Sequence, residues 1–238
     1  TKDRKIKSVA ITYTNNDYGK GLADVYAAAV KNHGIKVTTV AAHEDGKADY
    51  AAEVATLASA GGDAVAVIGY LDQGGKGIIQ GSLDSGAFDT FILSDGMIGD
   101  SLTDAFGKSL NKSFGSLPGS TGKGAGVFTK VAKAAGIDSS GPYTGESYDA
   151  AALITLAMQA GGKADRSTIQ QNVMSVANAP GKKIYPGELK KALHLIMDGK
   201  DIDYVGATAV ELIGPGESAG NYAQIEVKSG KNETVAYR

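Results

Sequence analysis

The sequence predicts an α/β fold built on a doubly wound parallel sheet, and three observations carry that expectation. Strand-like and helix-like patterns alternate from Ser8 to Asp95, as parallel strands joined by crossover helices must. Ala64–Ile68 (AVAVI) is an unbroken apolar run, the pattern of a central strand covered on both faces. Polar and aromatic groups stand where strands end: Asn15-Asn16-Asp17-Tyr18-Gly19, then Tyr70, then Ser94-Asp95-Gly96. In open α/β sheets that edge is where small molecules bind.

Taken in order, Ser8–Thr14 reads as a strand and Gly21–His33 as a helix, with Leu22, Val25, Tyr26, Ala29 and Val30 on one face and Gly34 as its stop. Ile35–Ala41 is the second strand. Asp49 caps a helix over Tyr50–Ser59 with Val54, Leu57 and Ala58 inward. Ala64–Ile68, a helix through Ile78, Ile79 and Leu83, and the strand Thr90–Leu93 follow. Ser113–Thr121 is a short strand running into a Pro/Gly/Ser connection, the expected hinge. Helical patterns then dominate, over Gly126–Ala135, Ser147–Ala160, Ser167–Val176 and Gly187–Met197, before strand patterns return beyond Tyr204 around Gly-Pro-Gly and Ser-Gly-Lys-Asn turns. Helices with few strands to cover imply a missing partner sheet.

Composition excludes several classes. A chain of 238 residues can bury a substantial core, and a formal charge of −2 gives no electrostatic case for nucleic acid or an anionic membrane. No apolar run approaches the roughly 20 residues that span a bilayer. Cysteine is absent, which removes thiol chemistry and suits an oxidising compartment. The start, Thr1 to Lys7, has no apolar leader segment, as expected of a mature form.

Enzyme signatures fail on inspection. Gly99-Asp100-Ser101-Leu102 spells the GDSL signature of a lipase/esterase family, but the one later histidine, His194, has Lys191 three residues before it where that family's serine chemistry needs an aspartate. Ser101 reads instead as a helix N-terminal residue. The clusters Gly74-Gly75-Lys76-Gly77 and Gly119-Ser120-Thr121-Gly122-Lys123-Gly124 do not fit a phosphate-cradling loop. His43 beside Glu44 and Asp45 looks metal-like only superficially, since adjacent residues on an extended segment point in different directions. His33 and His194 read as structural, and Asn15, Asn16 and Asp17 as turn formers. Neither catalytic residues nor a cofactor nor a metal are expected.

The stretches VAITYTNNDYGKGLAD, DAVAVIGYLDQGGKGIIQ, FILSDGM, GPYTGESYDAAALITLAMQA and YVGATAVELIGPGES, in that order, resemble the periplasmic amino-acid-binding proteins of ABC importers, in their Leu/Ile/Val-type (type I) branch. Such proteins have two α/β lobes joined by three crossovers, with ligand trapped by hinge closure. The resemblance implies that residues 1–117 are the second lobe, 118–220 the hinge and helical remainder of the first, and 221–238 a return across the hinge. It also implies that most of the N-terminal lobe lies outside this sequence.

By that resemblance Asp95 takes a ligand's α-ammonium, Tyr18 and Tyr70 wall the cleft and offer hydroxyls to the ligand, and Tyr143 contacts the ligand side chain. Glu146 is explained adequately by its place in a helix's first turn. Ala209 departs from the family, which has glycine there. The implied partners are a free amino acid and a membrane permease, in the periplasm, with self-association through exposed helix faces. A ligand-sensing module of the same fold is the alternative.

Overall fold

The computed structural model describes residues 4–139, 141–214 and 216–238. Residues 1–3 of the start and Pro215 of the expected Gly-Pro-Gly turn lie outside the described residues. The chain divides into two compact units, one made of the chain up to Leu117 with Ala223–Ala236, the other of Pro118–Tyr222 with Tyr237–Arg238.

In the first unit, the contiguous apolar run Val9-Ala10-Ile11 makes β1 (Ser8–Thr14) a strand buried on both faces. Helix α1 (Asp17–Asn32) begins four residues earlier than its apolar stripe suggested, because the Asn16 side chain accepts from the Gly19 N–H at 2.9 Å and caps it. Strand β2 (Lys36–His43) and helix α2 (Ala51–Ala60) follow, with Asp49 accepting from the Ala51 N–H at 3.1 Å. Strand β3 (Ala64–Ile68) is wholly buried. One π turn, Leu71–Gly75, then leads into α3 (Lys76–Asp84). Strand β4 (Phe91–Leu93), helix α4 (Asp100–Phe106) and strand β5 (Phe114–Pro118) complete the run.

The second unit is a helical cluster around its own small core. It holds α5 (Lys123–Ala134), α6 (Thr144–Gly161), α7 (Arg166–Ala177), β6 (Lys182–Ile184), α8 (Leu189–Met197), β7 (Ile202–Tyr204), β8 (Leu212–Gly214) and β9 (Glu217–Ser218). The parallel pair β6–β7 went unseen in the sequence because three-residue strands as polar as Lys-Lys-Ile and Ile-Asp-Tyr show no period. Helix α6 packs Leu153, Leu156 and Ala157 with Val176, Ile184 and Ile202. Its large apolar residues are thereby covered, apart from the exposed Ile154, so the open inner face expected of this helix is largely closed.

The last two strands, β10 (Tyr222–Lys228) and β11 (Lys231–Tyr237), join across Ser229-Gly230, both at positive φ as a tight hairpin turn requires. They complete a seven-stranded sheet in the order β11-β10-β5-β4-β3-β1-β2. Its β2-β1-β3-β4-β5 portion is parallel, with Ile11 opposite both Val40 and Ala66. Apolar layers cover both faces: Ile11 packs with Ala23 and Val30 of α1, while Val67 packs with Leu57 and Ile79 of α2 and α3. That cover is the main stabilising term, since each fully buried large aliphatic side chain contributes roughly 1.5–3 kcal/mol.

Asp149, on the buried stripe of α6, organises the second unit. Its carboxylate accepts from the Tyr204 hydroxyl at 2.9 Å, the Ala207 N–H at 2.7 Å, and the Thr208 N–H and hydroxyl at 2.8 Å each. Burial and the adjacent carboxylate push the Tyr204 hydroxyl far above its ordinary value, which keeps it a donor. Gly206, at φ +61, has no side chain because a Cβ there would collide with the Asp149 carboxylate. Asp149→Ala should cost roughly 3 kcal/mol or more by orphaning those donors, read as a loss in chemical denaturation followed by circular dichroism. Ala209 holds the left-handed conformation at φ 56. Ala209→Gly should therefore raise stability by about 0.5–1 kcal/mol in the same assay.

Candidate ligand-binding site

The exits of β1, β3 and β4 place three of the four expected ligand-binding residues side by side in the first unit. Tyr18 lies in the first turn of α1, Tyr70 two residues beyond β3, and Asp95 two residues beyond β4. All three are half-buried. The Tyr18 hydroxyl donates to Asp95 Oδ1 at 2.6 Å, within the range of a charge-assisted bond. The Tyr18 and Tyr70 rings stack, with centroids 5.3 Å apart and planes inclined at 27°. Ser94 Oγ lies 3.1 Å from the Tyr18 hydroxyl and accepts from the Gly69 N–H at 3.3 Å. Burial, then the bond to Asp95, push the Tyr18 hydroxyl up to about 12, so it stays protonated at neutral pH. The group is a carboxylate fixed by a phenol beside a two-ring apolar wall. Such a surface suits a cation that carries an apolar body.

Ser94 is a member of this group that the sequence did not single out, although its place in Ser94-Asp95-Gly96 was the available signal. Tyr143 belongs to the second unit, on the turn entering α6, where it takes the left-handed conformation at φ 62. Glu146 lies in the first turn of that helix. Asn15 donates to Glu44 at 2.6 Å, and Asn16 is the α1 cap, so both are turn formers as expected. Asp100 and Ser101 open α4 in the first unit, whereas His194 is exposed on α8 in the second. His33 ends α1 and is exposed. Among the described residues no three His, Cys, Asp or Glu side chains are grouped to hold a metal ion.

His43 is buried at the end of β2, with Nδ1 2.9 Å from Thr12 Oγ1 on β1. Next to it the Thr14 hydroxyl donates to Asp45 Oδ2 at 2.6 Å, and Tyr50 donates to a backbone carbonyl, with those of Glu44 and Gln73 at 3.0 and 2.9 Å. His43 and Tyr50 meet edge to face at 6.1 Å. This polar cluster supports the ends of β1 and β2 just below the turn that carries Tyr18.

No protein-family model matches the chain. Over 206 residues, 83% of this chain and 54% of the relative, it is 26% identical to an amino acid binding protein of Pseudomonas aeruginosa. A 74-residue stretch, 31% of this chain and 20% of the relative, is 39% identical to Leu/Ile/Val-binding protein homolog 3 of Brucella melitensis. The chain thus spans about half the length of the first of these relatives and a fifth of the second. Among solved structures, the leucine-binding protein LivK of Thermotoga maritima superposes with a TM-score of 0.74 at 18% identity, covering 99% of this chain and 61% of that one. The branched-chain amino acid transporter substrate-binding protein LivJ of Streptococcus pneumoniae, solved with isoleucine, gives 0.67 at 16% identity, covering 99% and 60%. The chain has the fold of the type I periplasmic binding proteins. The four proteins named above are each called an amino-acid-binding or substrate-binding protein. No helix among the described residues is long and apolar enough to cross a membrane.

The buried imidazole gives the first unit a pH dependence. Burial pushes His43 below its ordinary value of 6.5, while Asp45, Glu53 and Glu44 only partly offset that. The fold therefore prefers neutral His43. Its contribution is complete above about pH 6.5 and is lost as pH falls toward the lowered folded value. The melting temperature should drop between pH 7.5 and 5.5, and His43→Gln should flatten that slope.

Proposed function

We propose that this chain is the solute-recognising part of an ABC importer and binds a free amino acid, of the branched-chain or aliphatic type or a close amide analogue. One observation carries the reading: a carboxylate at the β4 exit, held by Tyr18 at 2.6 Å, beside the stacked Tyr18–Tyr70 pair. Asp95 takes the α-ammonium, and Tyr70 walls the aliphatic part of the ligand. Leu/Ile/Val-type and isoleucine-bound relatives support this ligand class.

In this reading the first unit is the second lobe of a bilobed binder. Residues 118–220 are the hinge and helical remainder of the other lobe, and the final residues return across the hinge. The chain works in the periplasm, delivers its ligand to a membrane permease, and carries out no reaction.

The test is calorimetric titration with L-leucine, L-isoleucine and L-valine. Asp95→Asn removes the charge from a partly desolvated ion–ammonium bond and should weaken affinity roughly ten- to a hundredfold. Equal affinity of the parent and the variant would sink the assignment.

A further inference from the structure

We propose that Tyr18 is a positioning residue: with Ser94 it forms a hydrogen-bonded chain that sets the Asp95 carboxylate, and its hydroxyl donates no bond to the ligand. The inference rests on the function proposed above, and it departs from the hydroxyl-to-ligand role that the family resemblance implies for this tyrosine.

Counting protons carries the argument. A phenol has one proton to donate and two lone pairs to accept with. An ionised carboxylate only accepts, so the short 2.6 Å contact to Asp95 Oδ1 takes the single Tyr18 proton. At the 3.1 Å contact the Ser94 hydroxyl must then be the donor, toward the phenol oxygen. Ser94 Oγ is left to accept, and the Gly69 N–H supplies that bond at 3.3 Å. The single donor position of Tyr18 and one of its acceptor positions are thus committed to the protein. The chain runs from a β3-exit amide through Ser94 and Tyr18 to Asp95, every link polarised in one direction and so strengthened by its neighbours. Stacking on Tyr70 fixes the phenol ring that carries the third link.

What this arrangement does is hold a flexible carboxylate in one rotamer before ligand arrives, so that the ordering is not charged to binding. The ring of Tyr18 remains part of the wall, and the proton of its hydroxyl acts through Asp95.

A double-mutant cycle on the full chain with L-leucine separates the two roles. Tyr18→Phe should weaken binding by about tenfold when Asp95 is present, and by no more than about twofold in the Asp95→Asn background. An equal loss in both backgrounds would mean that the hydroxyl bonds the ligand directly, which overturns the proposal while leaving the amino-acid reading intact. A second arm needs no ligand. With 13C-labelled tyrosine at pH 7, the Tyr18 Cζ resonance should move in both Asp95→Asn and Ser94→Ala, and Ser94→Thr should restore it. A resonance that stays in place in either variant breaks the chain and overturns the inference. If the parent binds none of leucine, isoleucine and valine, the functional reading fails by itself, and the resonance decides whether the chain of bonds exists.

Discussion

The candidate site depends on how closely two strand exits approach each other. A Cβ on Gly96 would fall on the Gly69 carbonyl oxygen, well inside contact distance, and would also press on the Tyr70 ring at 3.2 Å. The backbone beyond β4 therefore lies directly against the backbone beyond β3, and only glycine permits it. That contact brings Ser94 within reach of the Gly69 amide and Asp95 within reach of Tyr18, whose helix starts at the neighbouring β1 exit. Any side chain at position 96 would push the two exits apart and open every bond in the group. A parallel sheet supplies the rest, because all of its strands end on the same edge.

Much of this was legible in the sequence because it is local. Strands β1 to β4 announce themselves by short apolar runs, and the residues that follow them are exit residues wherever the sheet is parallel. Asp95, Tyr18 and Tyr70 could be named on that ground, although they are 77 residues apart at the widest, as the Tyr18–Asp95 pair is. What could not be read depends on register. Thr14 faces His43 across the β1–β2 ladder, and Thr12 reaches the same imidazole, but threonine in a strand looks like a simple β-former. The partner of a buried histidine 31 residues away is decided by pairing, which no local pattern encodes. The π turn Leu71–Gly75 after β3 was hidden for a similar reason, because its widening is set by packing around Gly74 and Gly75.

Two aspartates in this chain show how environment divides a structural carboxylate from a candidate binding one. Asp149 is 2% exposed and is closed in by four donors from Tyr204, Ala207 and Thr208, all of its own unit. Nothing larger than those groups could reach it. Asp95 lies half-buried at a strand exit, where a phenol that stacks on a second ring donates to it. The sequence signals are also different. Asp149 sits among Ala152, Leu153 and Leu156 on one helical stripe, and a charge on an apolar stripe is a buried anchor that must find donors. Asp95 follows an apolar strand directly, where the chain leaves the core and a charge can be kept at the edge.

The pH responses of the two polar groups in the first unit are separated as well. Tyr18 is pushed up to about 12, so its proton is in place throughout the physiological range and the bond to Asp95 is not switched by mild acid or base. His43 is pushed down from 6.5 by burial, and it titrates on acidification. The Asn15 N–H bonds the His43 carbonyl at 2.9 Å, so the strand end that carries the imidazole is tied to the turn that presents Tyr18. Acid therefore acts on the support: the β1 and β2 ends lose stability as His43 is protonated, while the Tyr18 proton stays in place. A binder arranged this way would lose affinity in acid through the population of folded, competent molecules.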